Sequence, residues 1–196
     1  MRKITASQIC FIAFGAVLNI AGSTLALSLR LPVYLDAIGT VLVAAVSGPF
    51  YGILPSIISG LISGITIDIY SLYFIPANAA TGIMTGLLFK RITKNWFTLP
   101  AGNLLLVFPG SVIGAIIAAG LFGGVTSSGS SYIVQLLDKC GLNLTASVFA
   151  VQLITDYLDR FLALILVLET TKRIPKDILR LIKGGNTDEP IQQDNQ

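Results

Sequence analysis

The sequence predicts an all-α, polytopic membrane protein with six spanning helices, and three observations carry that expectation. Of 196 residues, 54% are hydrophobic and only 12% charged, and the mean hydropathy is +0.80. That is more apolar surface than one globular core needs. A spanning helix takes roughly 20 apolar residues, and segments of this kind recur along the chain. The lysines and arginines gather on alternate connections, which is how spanning helices are oriented in a bilayer. The apolar stretches lack the period-two alternation of β-barrel strands.

The first span covers Ala6–Leu29. Basic Arg2 and Lys3 precede it as in a signal peptide, but no small-x-small cleavage site follows a short core, so it reads as a retained span. The second and third spans, Val33–Ser47 and Pro49–Ile65, are divided by Gly48-Pro49. Both are short for a hydrocarbon core of about 30 Å, which predicts tilt or protection by neighbours. The fourth covers Tyr70–Phe89, the fifth Leu99–Leu121 and the sixth Leu142–Leu168. Beyond it, Ile174, Ile178, Leu181 and Ile182 form a stripe among Lys172, Lys176, Arg180 and Lys183. That pattern predicts a short amphipathic helix on the inner leaflet, over 172–184. Residues 1–171 then form a membrane domain, and 185–196 read as a disordered polar tail.

In this division Arg2, Lys3, Lys90, Arg91, Lys94, Lys172, Arg173, Lys176, Arg180 and Lys183 share one side. Arg30 and Lys139 fall on the other, and Arg160 lies within the membrane. The positive-inside rule therefore predicts a multi-pass protein of a prokaryotic plasma membrane with both termini cytoplasmic and Trp96 at the inner interface. The net charge of +3 comes from these edges. It forms no basic groove with interleaved aromatics, so nucleic acid is not an expected partner. Cys10 and Cys140 fall on opposite sides, which argues against a disulfide. Without a histidine, two cysteines make no zinc site. No Walker A motif, histidine base or metal-ligand cluster is present, so neither cofactor, metal nor catalytic residue is expected.

Polar residues are costly in hydrocarbon, so their positions are informative. Asn19 lies in the first span and Asn78 in the fourth; the sixth carries Gln152, Asp156, Asp159 and Arg160. Asp156 stands four residues from both Gln152 and Arg160, so it can pair along one helix face with either. Asp159 with Arg160 reads as a structural ion pair, which leaves Asp156 beside Gln152 to face a cavity. Asp36, Asp68, Tyr70, Tyr73 and Asn78 gather near the outer side of this topology. Helix capping by the carboxylates and interfacial anchoring by the tyrosines account for each residue singly. As a group, with Gln152 and Asp156, they suit a small-ligand site of few polar anchors in an apolar wall. The outer connection 123–141, rich in hydroxyls, suits a lid over such a site and equally an ordinary exterior loop. Ser56, Gly60 and Gly64, then Gly82 and Gly86, then Gly110, Gly114 and Ala118 make small faces for close helix packing or for docking another membrane protein.

The run LPVYLDAIGTVLVAAVSGPFYG (31–52), with Leu-Asp-x-Ile-Gly-Thr before a Gly-Pro turn, resembles the S components of energy-coupling factor transporters. IYSLYFIPANAATGIMTGLLFKR (69–91) and GGVTSSGSSYIVQ (123–135) with TDYLDR (155–160) continue the similarity. It is nearest to hydroxymethylpyrimidine- or pyridoxine-type and uncharacterised members. The resemblance implies a six-helix subunit that binds a vitamin or its precursor and is not itself an ATPase. It implies as partners a transmembrane coupling protein and two cytoplasmic ATPases, besides membrane lipid. Many such subunits carry Ala-x-x-x-Ala on the first span for the coupling protein. Here only Gly22 and Ala26 are small at both positions, which leaves the small faces of the second and third spans as alternatives. A solitary proton- or ion-coupled transporter using Asp156 is the second expectation, and a membrane-embedded enzyme the third.

Overall fold

The computed structural model describes residues 4–95 and 97–183, without the side chain of Lys176. Arg2, Lys3, Trp96 and the tail 185–196 lie outside the described residues. Among those described the chain is all helical, with no strand. In order, the helices are α1 (Ala6–Ser28), α2 (Ile38–Ser47), α3 (Pro49–Thr66), α4 (Tyr70–Tyr73), α5 (Ile75–Ile92), α6 (Thr98–Phe122), α7 (Ser130–Lys139), α8 (Leu144–Arg173) and α9 (Lys176–Ile182).

Helices α1, α3 and α6 are each long and apolar enough to cross a membrane. A capping box starts α1: Thr5 Oγ1 accepts from the Gln8 N–H, and the Gln8 side chain accepts from the Thr5 N–H. Gly48 and Pro49 separate α2 from α3, with Gly48 at φ 92° and Pro49 at the start of α3, where its missing N–H is harmless. Helices α5 and α8 are patterned inside out. On α8, Ile154, Leu158, Leu162 and Leu166 are exposed at four-residue spacing, while Gln152, Thr155, Asp156, Asp159 and Arg160 are buried.

Helix α2 is the hub, packed against α1, α3, α5 and α8. Its ten residues extend about 15 Å at 1.5 Å per residue, half of a hydrocarbon core. It is apolar all round, and Val41 and Val43 are fully buried. Its crossing with α1 is closed by glycine: a Cβ at Gly39 would stand 1.8 Å from the Gly15 carbonyl oxygen. We expect Gly39→Ala to cost about 3 kcal/mol or more, because backbone must yield. Gly120→Ala, where nothing lies within 4 Å, should change thermal unfolding in detergent little. Equal loss in both variants would refute this account.

The structure departs from the sequence expectation at four places. The helix expected from Val33 begins only at Ile38, because Pro32 holds the preceding residue out of helix and the chain turns through Arg30 and Leu35 at φ 50° and 51°. The fourth is broken into α4 and α5 at Phe74, just before Pro76 in the first turn of α5. The connection 123–141 is not all loop but contains α7, whose Val134 is buried in a cluster with Val148 and Val151 of α8. The terminal amphipathic segment is divided, with α8 running to Arg173 and α9 beginning after Pro175. The small face of α3 is filled from within: a Cβ at Gly60 would meet Ile75 and one at Gly64 would meet Leu72. Most of α2 is buried as well, so these small residues pack helices within the bundle.

Candidate ligand-binding site

The chain's polar groups converge between α5, α6, α8 and the connections at one end of the bundle. At the α8 side, the Arg160 guanidinium is the centre. Its Nη1 donates to Asp159 and, at 3.2 Å, to Asp36 Oδ1. Its Nη2 donates to Asn78 Oδ1 at 2.6 Å, and Asn78 Nδ2 donates to Asp36 Oδ2 at 2.6 Å. Asp36, Asn78 and Arg160 thus close a ring linking the α1–α2 connection, α5 and α8. Asp159 also accepts the Leu35 N–H at 3.0 Å, which holds Leu35 in its left-handed conformation.

Asp156 takes no part in that ring. Its carboxylate accepts from Ser111 Oγ of α6 at 2.8 Å and from Gln152 Nε2 at 3.0 and 3.1 Å. The four-residue spacing left open whether Asp156 pairs with Arg160 or with Gln152. In the fold, Asp36 and Asp159 hold the guanidinium and Gln152 holds Asp156.

A cavity with about 470 Å³ of empty space, part of it open solvent, lies against both groups. Asp36, Asp68, Tyr70, Asn78, Gln152 and Asp156 line it, with Arg160 beside them. Tyr73 does not. A single-turn α4 leaves it 43% exposed, with its ring edge-on to Phe122 at 5.2 Å. Tyr70 meets the same phenylalanine at 4.7 Å but also reaches the cavity.

Three connections close the cavity at that end. Asp68 Oδ2 accepts from Ser127 Oγ at 2.7 Å, Tyr34 Oη and Thr126 Oγ1 share a hydrogen bond at 3.1 Å, and the Gly129 N–H donates to the Leu31 carbonyl at 3.2 Å. Desolvation beneath them pushes the Tyr34 phenol up to about 12, so it stays a neutral hydroxyl at physiological pH. Its ring stands 6.1 Å from that of Phe74.

Sequence reasoning overlooked Tyr34 and Phe74 in the wall of this site, and Ser111, which bonds the Asp156 carboxylate. Tyr34 stands two residues before Asp36, and only the left-handed turn at Leu35 brings both to the cavity. Ser111 follows Gly110 in the small face of α6, and Phe74 carried no signal beyond its position between tyrosine and proline. Asn19, noted only as costly in a span, proves to bond three helices together.

Fold and cavity together define a helical protein, with helices suited to a membrane, that encloses a polar cavity near one end. No family model, curated protein or solved structure matches the chain.

Proposed function

We propose that this chain is the substrate-binding subunit of an energy-coupling factor importer, capturing a vitamin or vitamin precursor outside the cell and delivering it inward. The observation that carries the reading is the cavity beneath three connections, lined by Asp36, Asp68, Asn78, Gln152 and Asp156, in a bundle whose helices suit a membrane. The ligand in this reading is a hydroxymethylpyrimidine- or pyridoxine-like ring held by a few polar anchors. Tyr34, Tyr70 and Phe74 supply ring faces, and Asp156, Gln152 and Asp68 supply acceptors.

The reading takes six spans, adding α2, α5 and α8 to the three apolar helices. The inside-out patterning of α5 and α8 supports this, since lipid accepts their exposed leucines and isoleucines while the bundle shelters their polar residues. The start of α1, the α2–α3 turn, the end of α5 and the end of α9 share one cleft, lined by Gln8, Ser47, Lys90 and Lys183. Basic residues at that end favour a cytoplasmic location for it, and so an outward-facing cavity. A coupling protein and two ATPases supply the energy in this reading.

A solitary proton-coupled transporter is the second reading, favoured by one observation: buried Asp156 bonds Ser111 and Gln152 but makes no direct salt bridge among the described residues. The experiment that separates the two is purification from the native membrane. Co-purification with ATPases and a coupling protein, and a small molecule seen by native mass spectrometry, is the expected result. Uptake by the isolated chain that follows a proton gradient would instead establish the second reading.

In either case Asp156→Asn is expected to weaken ligand binding about tenfold or more while leaving unfolding unchanged, since the amide keeps one acceptor but loses the charge. Asp68→Ala and Tyr70→Ala should each raise the Kd as well. Calorimetric titration checks this; normal binding by both would remove the α3–α4 connection from the site.

A further inference from the structure

At the end of the bundle opposite the cavity, a second cleft gathers hydrogen-bond donors. It lies between the start of α1, the α2–α3 turn, the end of α5 and the end of α9, with about 1200 Å³ of empty space, part of it open solvent. Gln8, Ser47, Tyr51, Lys90 and Lys183 supply its polar side chains, and among the described residues no carboxylate lines it.

Gln8 carries the argument. It lines the cleft yet is only 7% exposed. Its Oε1 is fixed by the Thr5 N–H at 3.0 Å, in the capping box that starts α1. The amide is thereby oriented, and its Nε2 donates to nothing among the described residues. A donor so far withdrawn from bulk water calls for an acceptor. No salt bridge among the described residues engages Lys90 or Lys183. Helix α3 begins at the same rim, and the first N–H groups of a helix lack intrahelical partners and favour an anion. Two ammonium groups, two hydroxyls and an amide around one cleft suit a compact anion with several acceptor oxygens, which describes a phosphate.

The rim indicates what carries that phosphate. Phe50, next to Tyr51, is 84% exposed. On α9, which packs against α1 and α2, Ile178 and Leu181 are exposed while Ile182 is buried. Acyl chains would cover these apolar groups where water would not. We propose that the cleft binds an anionic glycerophospholipid by its phosphate. Lys90 and Lys183 pair with the phosphate oxygens, and Gln8 Nε2 and the Ser47 and Tyr51 hydroxyls donate to them. A zwitterionic headgroup brings its own cation and gains less from the lysines. The lipid ties α9 to the α2–α3 turn, in the manner of basic pockets between spanning helices. This inference rests on the placement of the helices in a membrane and is independent of what the outer cavity holds.

The test is native mass spectrometry of the full chain released from vesicles of equal phosphatidylcholine and phosphatidylglycerol. One phosphatidylglycerol should stay with each chain. Its retention should fall roughly tenfold or more in Lys90→Gln with Lys183→Gln, at about fivefold for each lysine. Lys90→Arg with Lys183→Arg should keep the lipid, which separates loss of charge from loss of fold. Gln8→Glu preserves the acceptor for Thr5 but replaces the donor with an anion, and should lower retention as far. Arg91→Gln with Lys94→Gln removes equal charge from the same end outside the cleft, and should lower it less than about twofold. An equal loss in that control would mean diffuse surface charge and overturn the inference. Undiminished retention in Gln8→Glu, or no preference for phosphatidylglycerol, overturns it as well. Displacement of the lipid by millimolar inorganic phosphate would make the ligand a free anion. Loss of a protein partner from the Lys90 and Lys183 variant, with lipid retained, would make the cleft a protein interface; either result also overturns the inference.

Discussion

Replacing Arg160 with methionine is expected to destabilise the protein by about 3–5 kcal/mol, the cost of stranding buried charge. Arg160 is 5% exposed and Asp159 1% exposed. The substitution fills similar space but leaves Asp159 and Asp36 without their cation and Asn78 Oδ1 without its donor. Three segments far apart in sequence lose their shared partner at once. The first to loosen should be the α1–α2 connection, whose Leu35 N–H is held by Asp159 and whose Asp36 is held by Arg160.

The companion variants decide whether charge or packing is responsible. Adding Asp159→Asn and Asp36→Asn to Arg160→Met removes the stranded charges and should recover a large part of the loss. Buried ion pairs are often worth little against neutral replacements, although breaking one is severe. Denaturant or thermal unfolding in detergent reads all the variants. A loss below about 1 kcal/mol in the single variant would mean that water reaches the ring and screens it. No recovery in the triple variant would mean that the guanidinium acts through shape alone.

Much of this fold was legible from apolar runs and punctuation. The predicted limits of the first, third and fifth spans lie within one residue of α1, α3 and α6, because Gly48-Pro49 and the polar ends of each run mark real helix termini. The errors arose where local composition and local geometry disagree. Val33–Leu35 is as apolar as the helix that follows, yet Pro32 and contact with Gly22 turn it aside. A Cβ at Gly22 would stand 2.1 Å from the Leu35 carbonyl oxygen, a long-range constraint that no window of sequence contains. Helix α7 was hidden because the hydroxyl-rich residues before it drew attention from Val134 and Leu137, which pack on α8.

The site was legible as a set of residue types rather than as a set of partners. Expense in hydrocarbon singled out Asn78, Gln152, Asp156, Asp159 and Arg160, and all five are buried. Spacing along α8 offered Arg160 two carboxylates on its own helix. It could not reveal that Asp36, 124 positions away, would also bond it. Tyr73 was misjudged through the opposite fault: its neighbour Tyr70 lines the cavity, but one helical turn cannot carry both to the same place.

Asn19→Leu is the second large effect, expected at about 3 kcal/mol, since it leaves two helix-start N–H groups unpaired at roughly 1–3 kcal/mol each. The first turn of α2 has no cap from its own Ala37. Its N–H groups turn instead to Asn19 of α1, whose Oδ1 accepts from Gly39 at 2.8 Å and Thr40 at 3.2 Å. The same amide donates through Nδ2 to Thr40 Oγ1 at 2.8 Å and Ser59 Oγ at 3.3 Å. One residue, 1% exposed, therefore caps the central helix and joins it to α1 and α3. Ser59→Ala removes a single acceptor and should cost only about 1 kcal/mol. The order of the two variants in thermal unfolding is the measurement. If Asn19→Leu were no worse than Ser59→Ala, the Gly39 and Thr40 N–H groups would have found other partners and α2 would not depend on this cap. If the order holds, ligand affinity should fall with it, because Asp36 stands two residues before the helix start that Asn19 secures.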